Sequence, residues 1–195
     1  MRRSPKPGSG RRRTIPRAAS AVGVRVWTVG HSNRSIEALI AILQTVSIRR
    51  VADVRTLPRS RRNPQFDRDD LAWELERAGI EYRHAPELGG LRKPRPDSIN
   101  RALQQDGFRG YADHMQTDTF HDGVERLLEE AATTATTVLC AEADPQHCHR
   151  NLLADGLLAR GVDVIHLLGD ERAEPHRLSP LARVSDTTVT YPGLL

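Results

Sequence analysis

The sequence has few cysteines and no long hydrophobic segment, and both shortages restrict the classes of protein to which it can belong. Its two cysteines, Cys140 and Cys148, are too few for a disulfide-stapled secreted fold, which favours a reducing compartment. No stretch approaches the roughly 18 consecutive apolar residues of a membrane span, and the arginine-rich start precedes no secretory-type apolar run. The sequence therefore predicts a soluble, cytoplasmic protein that does not associate with a membrane.

Acidic residues are absent from the start of the chain. Nine lysines and arginines precede Glu37, the first acidic residue, although the net charge of the whole chain is only +4. The remainder of the chain is therefore net acidic. The high isoelectric point does not by itself indicate that the folded body binds nucleic acid.

Residues 1–21 lack a periodic apolar face and are rich in Pro, Ser, Gly and Arg. This composition predicts a disordered basic tail, because such a segment cannot bury enough surface to become ordered. One alternative is a basic arm that contacts the phosphates of nucleic acid. Another is that the natural chain begins near Val22 or Val24, which mass spectrometry of the native N-terminus would test.

From Val24 onward, short β-rich runs alternate with helical patterns. The predicted strands are 24–30, 50–54, 80–84, 136–141 and 162–168, and the predicted helices are 35–43, 69–78, about 120–132 and 149–160. Because right-handed crossovers between parallel strands place helices on both faces of a sheet, this order predicts one Rossmann-like α/β domain with a mostly parallel, five-stranded sheet. The domain is expected to span residues 22–182, and residues 183–195 to form a C-terminal extension.

Polar residues cluster where four of the five predicted strands end. Ligands of open parallel sheets bind outside the carboxyl ends of the strands, where these clusters would meet. The sequence therefore predicts one polar pocket at the strand C-termini. Its candidate residues are Gly30, His31, Ser32, Asp53, Arg55, His84, Gly89, Gly90, Glu142, Cys148, His149 and Arg150.

Several of these residues allow a structural interpretation beside the functional one. Asp53 and Arg55 share one face of a strand, so they form either a buried ion pair or an anion-binding arginine oriented by a carboxylate. Gly30 would let the backbone approach a ligand closely, whereas Ser32 is also suited to cap the following helix.

Two predicted loops are strongly basic: residues 59–64, which include Ser60, and residues 92–96. Such runs are usually solvated surface. Because the two loops would flank one pocket on a net acidic body, their positive charge could also attract an anionic substrate into that pocket. Ser60 is therefore added to the candidate substrate contacts.

Cys148 is placed at the first turn of a predicted helix, beside His149 and Arg150. This setting favours a thiolate that acts as a nucleophile or contacts a ligand. The spacing differs from that of phosphatase loops, because Ala154 stands where an arginine would be required. Cys140, within a predicted buried strand, is more typical of a structural residue.

No cofactor is assigned by the sequence. Metal binding by Cys140, Glu142, Cys148 and His149 is conceivable, but these residues lack an established ligand spacing, so no metal site is predicted. The first strand is not followed by a Gly-x-Gly-x-x-Gly turn, which weighs against a nicotinamide or flavin cofactor.

Taken together, these motifs resemble the family known as domain of unknown function 488 (DUF 488). The resemblance covers Val26 to about Ala182 and implies a compact α/β domain, but it supplies no reaction. The matching positions are Gly30, His31, Ser32, Asp53, Arg55, Pro58, Ser60, Leu88, Gly89, Gly90, Cys140, Glu142, Cys148, His149 and Arg150.

The leading hypothesis is an enzyme that acts on an anionic, nucleotide-like substrate by hydrolysis or group transfer. Arg55 and Arg150 would hold the anion and Cys148 would serve as nucleophile or polar contact, with His31, Asp53 or Glu142 as acid or base. The alternative is a non-catalytic module that binds a nucleotide, or nucleic acid through the basic loops and tail. Both require that the side chains of His31, Arg55 and Cys148 open onto one cavity.

Overall fold

A six-stranded sheet forms the centre of the computed structural model, which describes residues 23–169 and 172–193. The strand order is β3-β2-β4-β1-β5-β6. The strands are β1 (Arg25–Gly30), β2 (Arg50–Asp53), β3 (Glu81–His84), β4 (Thr136–Cys140), β5 (Asp163–Leu167) and β6 (Ala173–Pro175). The first five are parallel, as the sequence predicts, whereas β6 pairs antiparallel with β5. The sequence missed β6, because a run of three residues ending in proline carries almost no strand signal.

Four of the five helices lie within a few residues of their predicted positions. They are α1 (Ile36–Thr45), α2 (Arg68–Arg77), α4 (Asp118–Thr133) and α5 (Arg150–Leu158), and the unpredicted helix is α3 (Asp106–His114). Ser35 caps α1 by accepting a hydrogen bond from the Ala38 amide, as its residue type favours. Among the described residues, no helix is both long enough and apolar enough to cross a membrane.

Apolar side chains cover both faces of the sheet. Residues of α1 and α2 such as Leu39 and Leu75 pack on one face, and residues of α3, α4 and α5 such as Tyr111, Val124 and Leu153 pack on the other. This arrangement confirms the predicted Rossmann-like layering of helices on both sides.

The C-terminal residues contribute to the core. The strands β7 (Arg183–Ser185) and β8 (Thr188–Thr190) form a hairpin, and the adjacent Tyr191 is only 1% exposed. The sequence placed an extension at 183–195, and this segment is packed onto α5 as far as it is described. The predicted basic tail, residues 1–21, lies outside the described residues.

A buried histidine next to this segment makes the fold sensitive to acid. Burial lowers the pKa of His166 to about 4, and the neighbouring His176 and Arg150 act in the same direction. In the unfolded chain a histidine titrates near pH 6.5, so the unfolded state binds more protons between about pH 6.5 and 4. We expect His166 to remove roughly 2 to 3 kcal/mol from the free energy of unfolding as the pH falls through this window.

Urea unfolding at pH 7, 5.5 and 4 measures this loss. Because other groups also titrate, the readout is the difference between the wild type and His166→Gln, which should lose less stability on acidification. His147→Gln, at an exposed imidazole, is the matched control and should follow the wild type. Equal losses in the wild type and His166→Gln would contradict the assignment.

Candidate functional site

A cavity of about 780 Å³ lies at the carboxyl ends of β1, β2 and β4, which are neighbours in the sheet. This volume is within the usual range for small-molecule sites, roughly 300 to 1,000 Å³. His31, Arg55 and Cys148 all line it, so the convergence required by the sequence-based hypothesis is present. The predicted site residues that line the cavity are His31, Ser32, Arg55, Ser60, Gly90, Glu142, Cys148 and His149.

The other predicted site residues, Gly30, Asp53, His84, Gly89 and Arg150, are not part of the cavity lining. The two glycines let protein backbone segments approach each other. A Cβ at Gly30 would lie 1.7 Å from the carbonyl oxygen of Glu142, and one at Gly89 would lie 2.4 Å from Thr56 Oγ1. His84 Nε2 donates to the carbonyl oxygen of Arg55 at 2.9 Å. These residues therefore position the segments that line the cavity without lining it themselves.

Asp53 and Arg55 form a buried ion pair. The Nη2 of Arg55 lies 2.6 Å from Asp53 Oδ2, with the carboxylate fully buried and the arginine 6% exposed. Arg55 Nη1 also donates to the carbonyl oxygen of Phe66 at 2.8 Å and to His31 Nε2 at 3.2 Å. Because almost all of its donors are engaged within the protein, Arg55 has little capacity to hold a substrate anion.

His31 is fixed between two partners. Its Nδ1 donates to the carbonyl oxygen of Ser32 at 2.8 Å, its Nε2 accepts from Arg55, and its ring stacks on Phe66 at a centroid distance of 4.2 Å. Burial, assisted by the charge of Arg55, lowers the pKa of His31 to about 4. The imidazole is thus neutral near pH 7 with both nitrogens occupied, which suits a positioning residue better than a general base.

Arg150 stabilises the loop that follows β4. Its side chain is 1% exposed, and its two terminal nitrogens donate to the carbonyl oxygens of Glu142 at 2.5 Å and Ala143 at 2.6 Å. These bonds tie the loop carrying Glu142 to the first residue of α5. The positive charge of Arg150 therefore stabilises the cavity wall and does not face the cavity.

Two thiols and an imidazole meet in the cavity lining. His149 Nδ1 lies 3.8 Å from Cys140 Sγ and 3.9 Å from Cys148 Sγ. The neighbouring Cys140 thiol, supported by His149 and Arg150, lowers the pKa of Cys148. The neighbouring Cys148 thiol, together with burial, raises the pKa of Cys140. Cys148 is therefore the more readily ionised of the two thiols.

Gly90 makes room for this imidazole. A Cβ at position 90 would lie 2.2 Å from His149 Nδ1, so a larger residue would displace the ring. The sequence singled out Gly90 as a substrate contact. It also treated Cys140 as more typical of a structural cysteine, although Cys140 lines the cavity.

The rim of the cavity carries exposed charge of both signs. Arg59 and Arg62 line it from the loop after β2, and Glu142 lines it from the loop after β4. Within residues 23–169 and 172–193, neither arginine forms an ion pair. The second basic loop, residues 92–96, does not line this cavity. Its Arg95 lines a separate cavity of about 380 Å³.

Sequence reasoning missed the contribution of α3. Gln105, Gly107 and Phe108, at the start of this helix, line the cavity opposite the strand ends. The segment contains two glycines, Gly107 and Gly110, which lower its helix propensity. The available signal was the helical spacing of its aromatic residues, Phe108 and Tyr111.

The fold and the site define an α/β domain whose mostly parallel sheet has a cavity of about 780 Å³ at its strand C-termini. A family model described as Domain of unknown function DUF488 matches residues 35–157, and the chain belongs to this family. The family suspected from the sequence is thereby confirmed, and the matched span begins after Gly30, His31 and Ser32. No curated protein and no solved structure matches the chain.

Proposed function

We propose that the protein is an enzyme that binds an anionic small molecule of nucleotide-like size and acts on it by hydrolysis or group transfer. The observation that carries this proposal is the cavity of about 780 Å³, which gathers cationic, carboxylate, thiol and imidazole side chains. Sites that combine such groups in one concave pocket are the usual location of catalysis.

The exposed arginines of the rim, Arg59 and Arg62, hold the anion in this proposal. They replace Arg55 and Arg150, because the guanidinium groups of those two residues are engaged by protein acceptors. Two guanidinium groups at a concave opening, neither of them bound to a carboxylate of the described residues, attract and orient phosphate or carboxylate groups.

The reacting centre lies where Cys148 and His149 face the cavity, with Glu142 as the exposed acid or base. Ser32 and Ser60 supply hydroxyl groups at the cavity wall. His31 and Asp53, which the sequence offered as acid or base candidates, act as positioning residues because their polar atoms are already bonded within the protein.

Thermal-shift screening of nucleotides, sugar phosphates and carboxylates tests the anion site. A ligand at about 100 times its dissociation constant should add roughly 2.7 kcal/mol of stability to the wild type. We expect most of that gain to be lost in the double variant Arg59→Gln/Arg62→Gln, because the rim charges are removed.

The matched control is Arg77→Gln/Arg172→Gln, which removes two exposed arginines that do not line the cavity. This control should retain the stabilisation seen for the wild type. The proposal fails if no anionic compound stabilises the wild type, or if the rim variant is stabilised as strongly as the control.

A non-catalytic module that binds a nucleotide or nucleic acid is the second candidate, and the exposed arginines at the cavity rim favour it. The two candidates differ in the fate of the ligand. A compound that stabilises the protein and is recovered chemically unchanged after long incubation supports the binding module. Conversion of that compound at a rate proportional to protein concentration supports the enzyme.

A further inference from the structure

Cys140, Cys148 and His149 form a group of metal-ligand type in the cavity lining. The two sulfurs and the imidazole Nδ1 all lie within 4.8 Å of one another. Both cysteines are buried and free of disulfide bonds, and the imidazole is half-buried. Thiolate sulfur and imidazole nitrogen are the ligands that zinc prefers in proteins.

The sulfur–nitrogen spacing is close to what a tetrahedral zinc ion requires. With zinc–sulfur bonds of about 2.3 Å and zinc–nitrogen bonds of about 2.0 Å, tetrahedral angles place a sulfur and a nitrogen about 3.6 Å apart. The two observed sulfur–nitrogen distances are 3.8 Å and 3.9 Å. To hold an ion, both sulfur–nitrogen distances would therefore need to shorten by only a few tenths of an ångström.

The imidazole of His149 lacks conventional hydrogen-bond partners in the part of the chain that the structure describes. Its Nε2 is buried without a partner, and its Nδ1 contacts only the two sulfurs. Buried polar atoms are nearly always paired with a strong partner, so this nitrogen pattern is unusual. A metal ion at Nδ1 would replace the two weak sulfur contacts of that nitrogen with a strong bond, and Nε2 would keep its proton.

The three ligands are held by two separate segments of the fold. Cys140 ends β4 and pairs with Gly30 across the sheet, whereas Cys148 and His149 directly precede α5. Arg150 fastens the two segments together through the loop carbonyls of Glu142 and Ala143. The ligand atoms are thus brought together by the fold without help from an ion.

We propose that Cys140, Cys148 and His149 bind a zinc ion whose fourth coordination position opens onto the cavity. Three protein ligands with one open position are typical of catalytic zinc sites, whereas structural sites use four protein ligands. The open position takes a water molecule or an oxygen of the bound anion. Only this last assignment rests on the proposed function, and the metal site itself stands on the geometry.

Metal binding by the full chain, without any substrate, tests the site. Reduced, chelator-treated protein is titrated with zinc in competition with a chromophoric chelator, and with cobalt for absorption spectroscopy. We expect one ion per chain and a sulfur-to-cobalt charge-transfer band. Cys140→Ser, Cys148→Ser and His149→Ala should each lose stoichiometric zinc binding, and each serine variant should weaken the charge-transfer band.

His147→Ala is the matched control, because this exposed imidazole lies near the site but bonds to Asp144. Its zinc binding should equal that of the wild type. Gly90→Ala tests the placement of the imidazole without removing a ligand, and we expect its zinc affinity to fall roughly 10- to 100-fold.

Thiol alkylation gives a second measurement that needs only the wild type, in case a serine variant does not fold. Zinc should protect both cysteines from iodoacetamide, and chelator should restore the reaction. The proposal is overturned if zinc fails to protect the thiols, or if folded serine variants still bind one ion per chain. Failure here would leave the anion-dependent stabilisation of the wild type unaffected, so the two proposals fail separately.

Discussion

Asp53→Asn is expected to lower the free energy of unfolding by about 3 to 5 kcal/mol, because it leaves the buried charge of Arg55 without its counterion. Asp53 is fully buried and accepts hydrogen bonds from Arg55 and from the hydroxyl of Tyr82. An amide in its place keeps the shape of the side chain but removes the negative charge. Urea unfolding at neutral pH measures the loss.

The matched control for Asp53→Asn is Asp163→Asn. Asp163 also forms an ion pair with an arginine, Arg25, but both side chains are about half exposed, 49% and 52%. Exposed pairs contribute about 0 to 1 kcal/mol, since water screens them and solvates the partner left behind. Similar losses in the two variants would show that burial of the Asp53 pair does not control its contribution.

Asp155→Ala is expected to cost a similar amount, about 3 to 5 kcal/mol, for a different reason. This fully buried residue of α5 accepts from His176 Nε2 at 2.9 Å, the Ser179 amide at 2.9 Å and the Tyr191 hydroxyl at 2.7 Å. Alanine would leave three donors without an acceptor, two of them buried. All three lie after β6, so the chain beyond β6 should also become more accessible to trypsin.

Glu129→Ala, at an exposed position of α4, serves as the control for Asp155→Ala. Its stability should stay within about 0.5 kcal/mol of the wild type. Asp155→Asn retains one oxygen acceptor and should lie between the wild type and the alanine variant. Wild-type stability together with unchanged trypsin cleavage in Asp155→Ala would contradict the role of this carboxylate.

The layers of the fold were predictable because each parallel strand is a short apolar run followed by a helical pattern. Glycines such as Gly79 and Gly161, which adopt φ values of +73° and +79°, mark the ends of two helices clearly. The helix α3 and the strand β6 gave no comparable signal. Their sequences are polar or very short, and contacts distant in the chain determine their conformation.

The location of the candidate site was predictable, but the division of roles within it was not. The rule that parallel strands end at one edge placed His31, Arg55 and Cys148 together. Sequence shows that Arg55 and Arg150 are charged, but not that carbonyl oxygens of Phe66 and Glu142 occupy them. Such acceptors belong to every residue's backbone, so no side-chain pattern reveals them.

The two edges of the central sheet bear on the behaviour of the protein at high concentration. At one edge, β6 has three residues and ends in Pro175, which has no amide hydrogen to donate to a further strand. At the other edge, β3 has four residues and carries the charged side chains of Glu81 and Arg83. Short, charged or proline-containing edges resist the addition of strands from other molecules, so the folded domain is protected against β-type self-association.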